Sequence, residues 1–291
     1  MKGEVIMGSI KAFIVAGALA VAAPGLANAA DLMQPPPPME PAVVPVTDFG
    51  GWYLRGDVGL GLDQQSAINS TFTGAYPPGF AINGNGIGDQ AIIGLGFGYK
   101  FNNWFRADVT GEYRTASSYW GLESYQPGGL FPSPACPNIC FDRDTASVAS
   151  AVFLLNGYVD LGTWYNVTPY VGGGVGVAYN MLHGLTDIGL ETGGFGTALD
   201  KNTSNFAWAL MAGFSYSLTS NLKLDLGYRY LDMGKVESNL IGCNGGPQNC
   251  NGGSYEGQSF HLASQDIRLG LRYVFADVPP PVYQPPLVRK Y

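Results

Sequence analysis

Eight stretches of this chain alternate apolar and polar residues with a period of two, and the connections between them are short and long in strict turn. A period of two is the mark of β-strands whose two faces meet different surroundings. The stretches are 52–62, 91–101, 104–114, 148–161, 167–180, 205–217, 222–230 and 264–275. In the first, Trp52, Leu54, Val58 and Leu60 share one face and Tyr53, Arg55 and Asp57 the other; in the last, Ile267, Leu269, Leu271, Tyr273 and Phe275 oppose Asp266, Arg268 and Arg272. The fourth is the least regular, with both faces apolar before Asn156, Tyr158 and Asp160 mark a polar side. Links at 102–103, 162–166 and 218–221 are tight, while the other four run for about 25–35 residues. A soluble sandwich also alternates, but it has no reason to keep every long connection at one end. An even-stranded antiparallel meander with that rhythm is expected to be an all-β, eight-stranded transmembrane up-and-down barrel, with short periplasmic turns and long extracellular loops.

Aromatic residues support the same expectation. Trp52, Tyr99, Phe101, Phe105, Tyr216, Tyr273 and Phe275 fall near one rim, and Tyr113, Tyr179, Phe206, Trp208, Tyr228 and Tyr230 near the other. Two such girdles around a Leu/Val/Ile band are what the interfaces of a bilayer select. After residue 30 every apolar stretch is soon broken by Gly, Asn or a charge, so a membrane crossing here must use strands.

The ends read differently. Residues 1–29 carry Lys2 and Lys11, an apolar run from Ala12 to Ala23 and the small-x-small site Ala27-Asn28-Ala29. That is a signal peptide, with Met7 as a second possible start, and the mature chain is expected to begin at Ala30. Residues 30–50 and 276–291 are proline-rich and are expected to be extended periplasmic segments, leaving 51–275 for the barrel. Without Lys2, Lys11 and Glu4 the chain keeps 13 basic and 21 acidic residues, a net −8. An acidic chain with no basic block is not expected to bind nucleic acid.

The polar faces carry most of the strand charge. Arg55, Lys100, Arg106, Arg114, Lys223, Arg229, Arg268 and Arg272 can meet Asp57, Asp108, Glu112, Asp160, Asp225 and Asp266 in the lumen. Eight strands enclose only enough room for side chains, so these charges must pair with one another or with trapped water. Inward glycines at 94, 96 and 98 and at 172, 174 and 176 would make room for Arg and Tyr from facing strands. A plugged structural interior and a narrow polar pore are both compatible with this pattern.

Little points to chemistry. His183 and His261 are placed in separate long loops, and only His261 with Ser259 or Ser264 resembles part of a hydrolytic set. No catalytic residue, metal or cofactor is expected. Cys136, Cys140, Cys243 and Cys250 all fall in the expected loops, and export favours the local disulfides 136–140 and 243–250 over a zinc site.

Several pieces resemble the small outer-membrane barrels typical of alphaproteobacteria, related to the opacity-type and OmpA-like eight-stranded families. They are 51–56 (Gly-Trp-Tyr-Leu-Arg-Gly), 156–161 (Asn-Gly-Tyr-Val-Asp-Leu), 168–176 (Thr-Pro-Tyr-Val-Gly-Gly-Gly-Val-Gly), 226–230 and 267–275. The resemblance implies an abundant, porin-like surface barrel that stabilises the envelope among outer-membrane lipids and lipopolysaccharide and is inserted by the barrel-assembly machinery. It also implies that Ala30 could be joined to peptidoglycan. Some such barrels resemble haem binders, a role that the resemblance assigns to no particular residue of this sequence. One departure is that Phe275 is followed by sixteen residues, so the assembly signal would be internal. No oligomeric state is legible.

Overall fold

A computed structural model describes residues 50–73, 76–127, 136–243 and 254–275. The expected signal peptide, the Ala30 junction, both proline-rich segments apart from Gly50, and Cys250 lie outside the described residues.

The described chain is built from strands: β1 (Gly51–Gln65), β2 (Asn69–Phe72), β3 (Ala81–Ile87), β4 (Gln90–Lys100), β5 (Phe105–Tyr125), β6 (Cys140–Asp160), β7 (Val167–Gly189), β8 (Phe195–Thr197), β9 (Lys201–Ser217), β10 (Leu222–Glu237), β11 (Ile241–Cys243) and β12 (Ser254–Val274). Eight of them close a ring. β1 pairs with β4, then β5, β6, β7, β9, β10 and β12 follow, and β12 returns to β1, every pairing antiparallel. Val58 stands opposite Ile93 on one side and Leu269 on the other. Closure pairs every strand on both edges, which a bilayer without water to satisfy amides requires.

The outward face is apolar through one band of each strand, at 52–62, 91–101, 105–113, 151–161, 167–179, 206–216, 222–230 and 267–275. Leu95 is 73% exposed, Leu60 63% and Ile93 61%, values that only a lipid environment makes favourable. The girdles assemble at its edges: Trp52, Tyr99, Phe101 and Phe105 form a chain of ring contacts at the turn end, and Trp208 meets Tyr230 at the loop end.

The strands are longer than their alternation suggests. β5 and β6 have 21 residues each and β7 has 23. At about 3.3 Å per residue and a tilt near 40°, 21 residues rise about 53 Å, twice the apolar band of about 25 Å. The excess stands beyond the membrane as a collar, a ladder in the order β3-β5-β6-β7-β8-β11-β12-β2. The long connections are therefore largely paired strand rather than irregular loop. Cys140 opens β6, Cys243 closes β11, His183 lies in β7 and His261 in β12, where loops were expected. The reason is that outside the bilayer the outer face meets water, so the alternation that betrays a strand fades while the ladder continues.

The interior also inverts with height. Within the membrane band the lumen is polar. Above it Val148, Leu182, Leu185, Leu231, Met233, Val236, Ile241 and Leu262 form an apolar layer with at most 2% exposure. The apolar start of the fourth segment belongs to this layer. It is the core of a soluble β-protein set on top of a membrane barrel, and burial of each such side chain contributes about 1.5–3 kcal/mol. A bulge at Asp232/Gly234, with Gly234 at φ 72°, shifts β10 into this layer.

Candidate functional site

Inward residues on the eight strands meet in three tiers. Nearest the turn end, Arg272 donates to both oxygens of Asp225 at 3.1 Å and to Ser215 Oγ at 2.8 Å. Arg106 Nε donates to Asp160 at 3.1 Å, and its guanidinium lies 4.1 Å from the ring centre of Tyr158 and 4.8 Å from that of Tyr170. In the middle tier Arg55 grips Asp57 through two bonds of 2.9 and 2.7 Å and reaches Asp108 at 3.1 Å and the Tyr158 hydroxyl at 3.0 Å. Tyr53 Oη and Asn156 Nδ2 also donate to Asp108, at 3.0 and 2.8 Å.

In the upper tier Arg229 bridges two carboxylates, with bonds of 2.8 and 2.6 Å to Glu112 and 2.8 and 2.6 Å to Asp266. Arg114 holds the other side of Asp266 at 3.1 and 3.0 Å and reaches Asp63 at 2.9 Å and Gln90 at 2.9 Å. Arg268 links the tiers, 3.3 Å from Asp57 and 3.5 Å from Glu112.

Twelve of the fourteen residues singled out from sequence thus meet in one buried network. The other two, Lys100 and Lys223, sit half-buried at the turn end, where Lys223 donates to Ser217 Oγ at 2.9 Å. Sequence reasoning missed Asp63, Gln90 and Ser264 as members, and placed Asn156 on the polar face without assigning it a partner. Asp63 shares the parity of Arg55 and Asp57, so a longer first strand would have found it. The glycines act as expected. A Cβ on Gly96 would fall 2.9 Å from Arg55 Cγ, and one on Gly172 would fall 2.7 Å from Tyr158 Cδ1.

Six guanidiniums face seven carboxylates across the tiers, so the charges are within one of balance and nearly all are taken up by pairing. Arg106 and Arg114 have no accessible surface and Arg229 has 1%. A water-filled passage would have to wet them. A cleft of about 280 Å³, counting the solvent space open to it, is bordered by Arg55, Asp57, Tyr170, Asp225 and Arg268. Placing these ions out of water is offset by opposite charge and hydrogen bonds, least completely at Arg106 and Arg268, where both Nη of the first and Nε and Nη2 of the second have no hydrogen-bond partner among the described residues.

The one sequence arrangement with catalytic overtones is not assembled. His261 Nε2 is 2.8 Å from Asp232 on the outer surface, Ser259 Oγ donates to the carbonyl of Asn69, and Ser264 is held inside by Arg114 and Asp266. His183 pairs with Asp200 at 3.0 Å. Cys136 and Cys140 form a disulfide, with Cα atoms 5.6 Å apart, at the entry to β6. Among the described residues no group of three or more His, Cys, Asp or Glu side chains is arranged to hold a metal ion.

Comparison with known proteins adds relatives. Residues 13–275 match the family model of the outer membrane protein beta-barrel domain. An uncharacterized protein of Brucella abortus is 31% identical over 278 residues, covering 86% of this chain and 93% of its own length. The outer membrane protein PagN of Salmonella typhimurium is 28% identical over 77% of this chain and 90% of itself, and a putative adhesin of Rickettsia rickettsii 27% over 76% and 87%. Among solved structures, the outer membrane protein OprG of Pseudomonas aeruginosa covers 79% of this chain and 98% of itself at 19% identity, with a TM-score of 0.47.

Proposed function

The chain belongs to the outer membrane protein β-barrel family, and from that premise we propose that it is a structural barrel of the Gram-negative envelope that displays a rigid collar at the cell surface and does not conduct solutes. One observation carries the reading: the guanidiniums of Arg106, Arg114 and Arg229 span the lumen without contact with solvent. The apolar layer above them closes the same path a second time. A narrow pore would need a hydrated track past these groups.

In this reading the long connections are extracellular, both termini are periplasmic, and lipids and lipopolysaccharide surround the apolar band. The barrel-assembly machinery inserts the chain, and the proline-rich ends reach the cell wall, with Ala30 as the point of attachment to peptidoglycan. Contact with other surfaces is a role of the same collar, supported by the relative named as a putative adhesin. The polar lumen is a scaffold for the eight strands rather than a site of chemistry.

Single-channel recording of refolded protein in planar bilayers tests the central claim. The expected result is a silent membrane; steady unitary currents that change on Arg229→Gln would overturn it. Analysis of muropeptides after envelope digestion tests the wall link, which fails if no adduct headed by Ala30 is present.

A further inference from the structure

Above the apolar layer the collar encloses a second set of charges, and these are all of one sign. Glu123, Asp144, Asp187 and Glu256 are buried, with exposures of 3%, 1%, 5% and 5%, and Asp142 is half-buried beside them. The register sets like charges directly opposite one another: Glu123 faces Asp142 across β5 and β6, and Asp144 faces Asp187 across β6 and β7. Pairs of that kind repel in a ladder when both are ionised.

The hydrogen bonds show how the cluster holds together. One amide serves two acids, for Gln258 Nε2 donates to Glu123 Oε1 at 3.1 Å and to Asp144 Oδ2 at 2.6 Å. Gln258 Oε1 accepts from Tyr119 Oη at 3.0 Å, and the Tyr119 ring stacks on Phe260 at 4.9 Å, which ties the cluster to the apolar layer below. Ser70 Oγ of β2 donates to Glu123 Oε1 at 2.8 Å. Glu256 is buried beside Glu123, and its Oε1 has no hydrogen-bond partner among the described residues. Two neighbouring carboxyl groups can hydrogen-bond to one another only if one of them carries a proton.

Among the described residues, no salt bridge joins Glu123, Asp142, Asp144 or Glu256 to a basic side chain. The charges that act on Glu123, Asp142, Asp144 and Glu256 are one another's and those of Asp187 and Glu191. Tyr119 and Tyr125 of β5 are the remaining ionisable groups there, both pushed up by burial and by these acids. β3 and β8 bring no ionisable side chain. Arg143 is exposed, and Lys201 and Lys235 pair with Glu237.

We propose that Glu123, Asp142, Asp144, Asp187 and Glu256 form a proton-held clasp that keeps the collar of the barrel closed, and that the collar loosens when the protons leave. Burial, followed by the neighbouring acids, raises Glu256 to about 10 and Asp142 to about 8, and raises Glu123 and Asp144 above the usual carboxylate range. Groups whose pKa is raised by folding favour the closed form while they stay protonated. Their contribution is complete below about pH 4 and declines as pH rises, through about 8 for Asp142 and about 10 for Glu256. For each proton released on opening, the open fraction grows about tenfold per pH unit across that window.

Hydrogen exchange on the full chain in lipid nanodiscs, read as protection factors between pH 5 and pH 8, tests the clasp. Protection at 117–125, 140–148, 185–189 and 256–262 is expected to fall at least tenfold over that range, while the membrane band keeps its own. Flat protection across the collar overturns the proposal. Glu256→Gln puts a neutral amide, able to donate to Glu123, where the acid would need a proton, so its collar is expected to stay protected at pH 8 with a shallower pH slope; an unchanged slope overturns the proposal. Should that variant fail to fold, the profile of the unmodified chain decides alone. Recovery of protection at pH 8 on adding calcium chloride would show that the acids hold a cation instead, and would equally overturn the proton clasp.

Discussion

Arg229 offers the sharpest test of the lumen, because one side chain there serves two buried acids. Replacing it with leucine removes four short bonds, two to Glu112 and two to Asp266, and leaves carboxylates of 6% and 0% exposure facing one another. A hydrogen bond to a charged group contributes about 1.5–3 kcal/mol net, which sets a ceiling of about 6–12 kcal/mol for the four. The ceiling is not reached, because Arg114 remains 3.0 Å from Asp266 and 3.6 Å from Glu112, and Arg268 remains 3.5 Å from Glu112. The expected loss is therefore about 3–5 kcal/mol, the range for breaking a buried ion pair by removing one partner. Urea unfolding of protein refolded into lipid vesicles, followed by tryptophan fluorescence, reads this as a lower midpoint at unchanged slope. The companion variant is Glu112→Leu with Arg229→Leu, in which charge leaves in balance. It is expected to be less damaged than the sum of the single changes by about 2 kcal/mol. A single-variant loss below about 1 kcal/mol, or strict additivity in the double variant, would refute the view that the lumen is held by obligatory pairing.

The remaining predictions concern other parts of the same body. Gly172→Val should block assembly or cost about 1–3 kcal/mol, since the new side chain enters the space of Tyr158; heat-modified migration on gels would show whether folded barrel forms. Leu95→Arg, at a position 73% exposed in the apolar band, should cost about 2–4 kcal/mol, whereas Tyr165→Arg in the turn after β6, 99% exposed, should be neutral; equal effects in the unfolding assay would contradict the assigned band. Cys136→Ser should leave the barrel midpoint unmoved and increase proteolysis near residue 136, because the disulfide spans only five residues at the entry to β6. A large drop in the barrel midpoint would mean that the bridge supports the ring itself.

Much of the barrel was legible before any coordinates. Lipid outside and packed polar groups inside force a period of two, and the alternation of tight and long links left one topology that keeps every long connection at one end. Parity also put Arg55, Asp57, Glu112, Arg229 and Asp266 on the lumen side, because adjacent residues of a strand must face opposite ways. What parity could not say is which acid meets which base. Glu112 and Arg229 are 117 residues apart, and their bidentate contact follows from strand tilt and register around a closed ring.

The collar was hidden for a related reason. Beyond the bilayer the outer face of each strand meets water and the lumen becomes apolar, so the contrast that marks a membrane strand weakens and then reverses. Val148 and Val152 in the irregular fourth segment were its only visible trace, and the positions of His183, His261 and Cys140 were misread as loop with it. The acid cluster lies further still from local pattern, since Glu123, Asp144 and Glu256 come from three separate strands and each alone reads as an ordinary surface carboxylate. Local composition therefore determined that the chain crosses a membrane as strands and which side of each strand faces lipid. Ring closure, which alone brings distant residues to one height, decided the pairing of the charges, the apolar plug and the gathering of five acids above it.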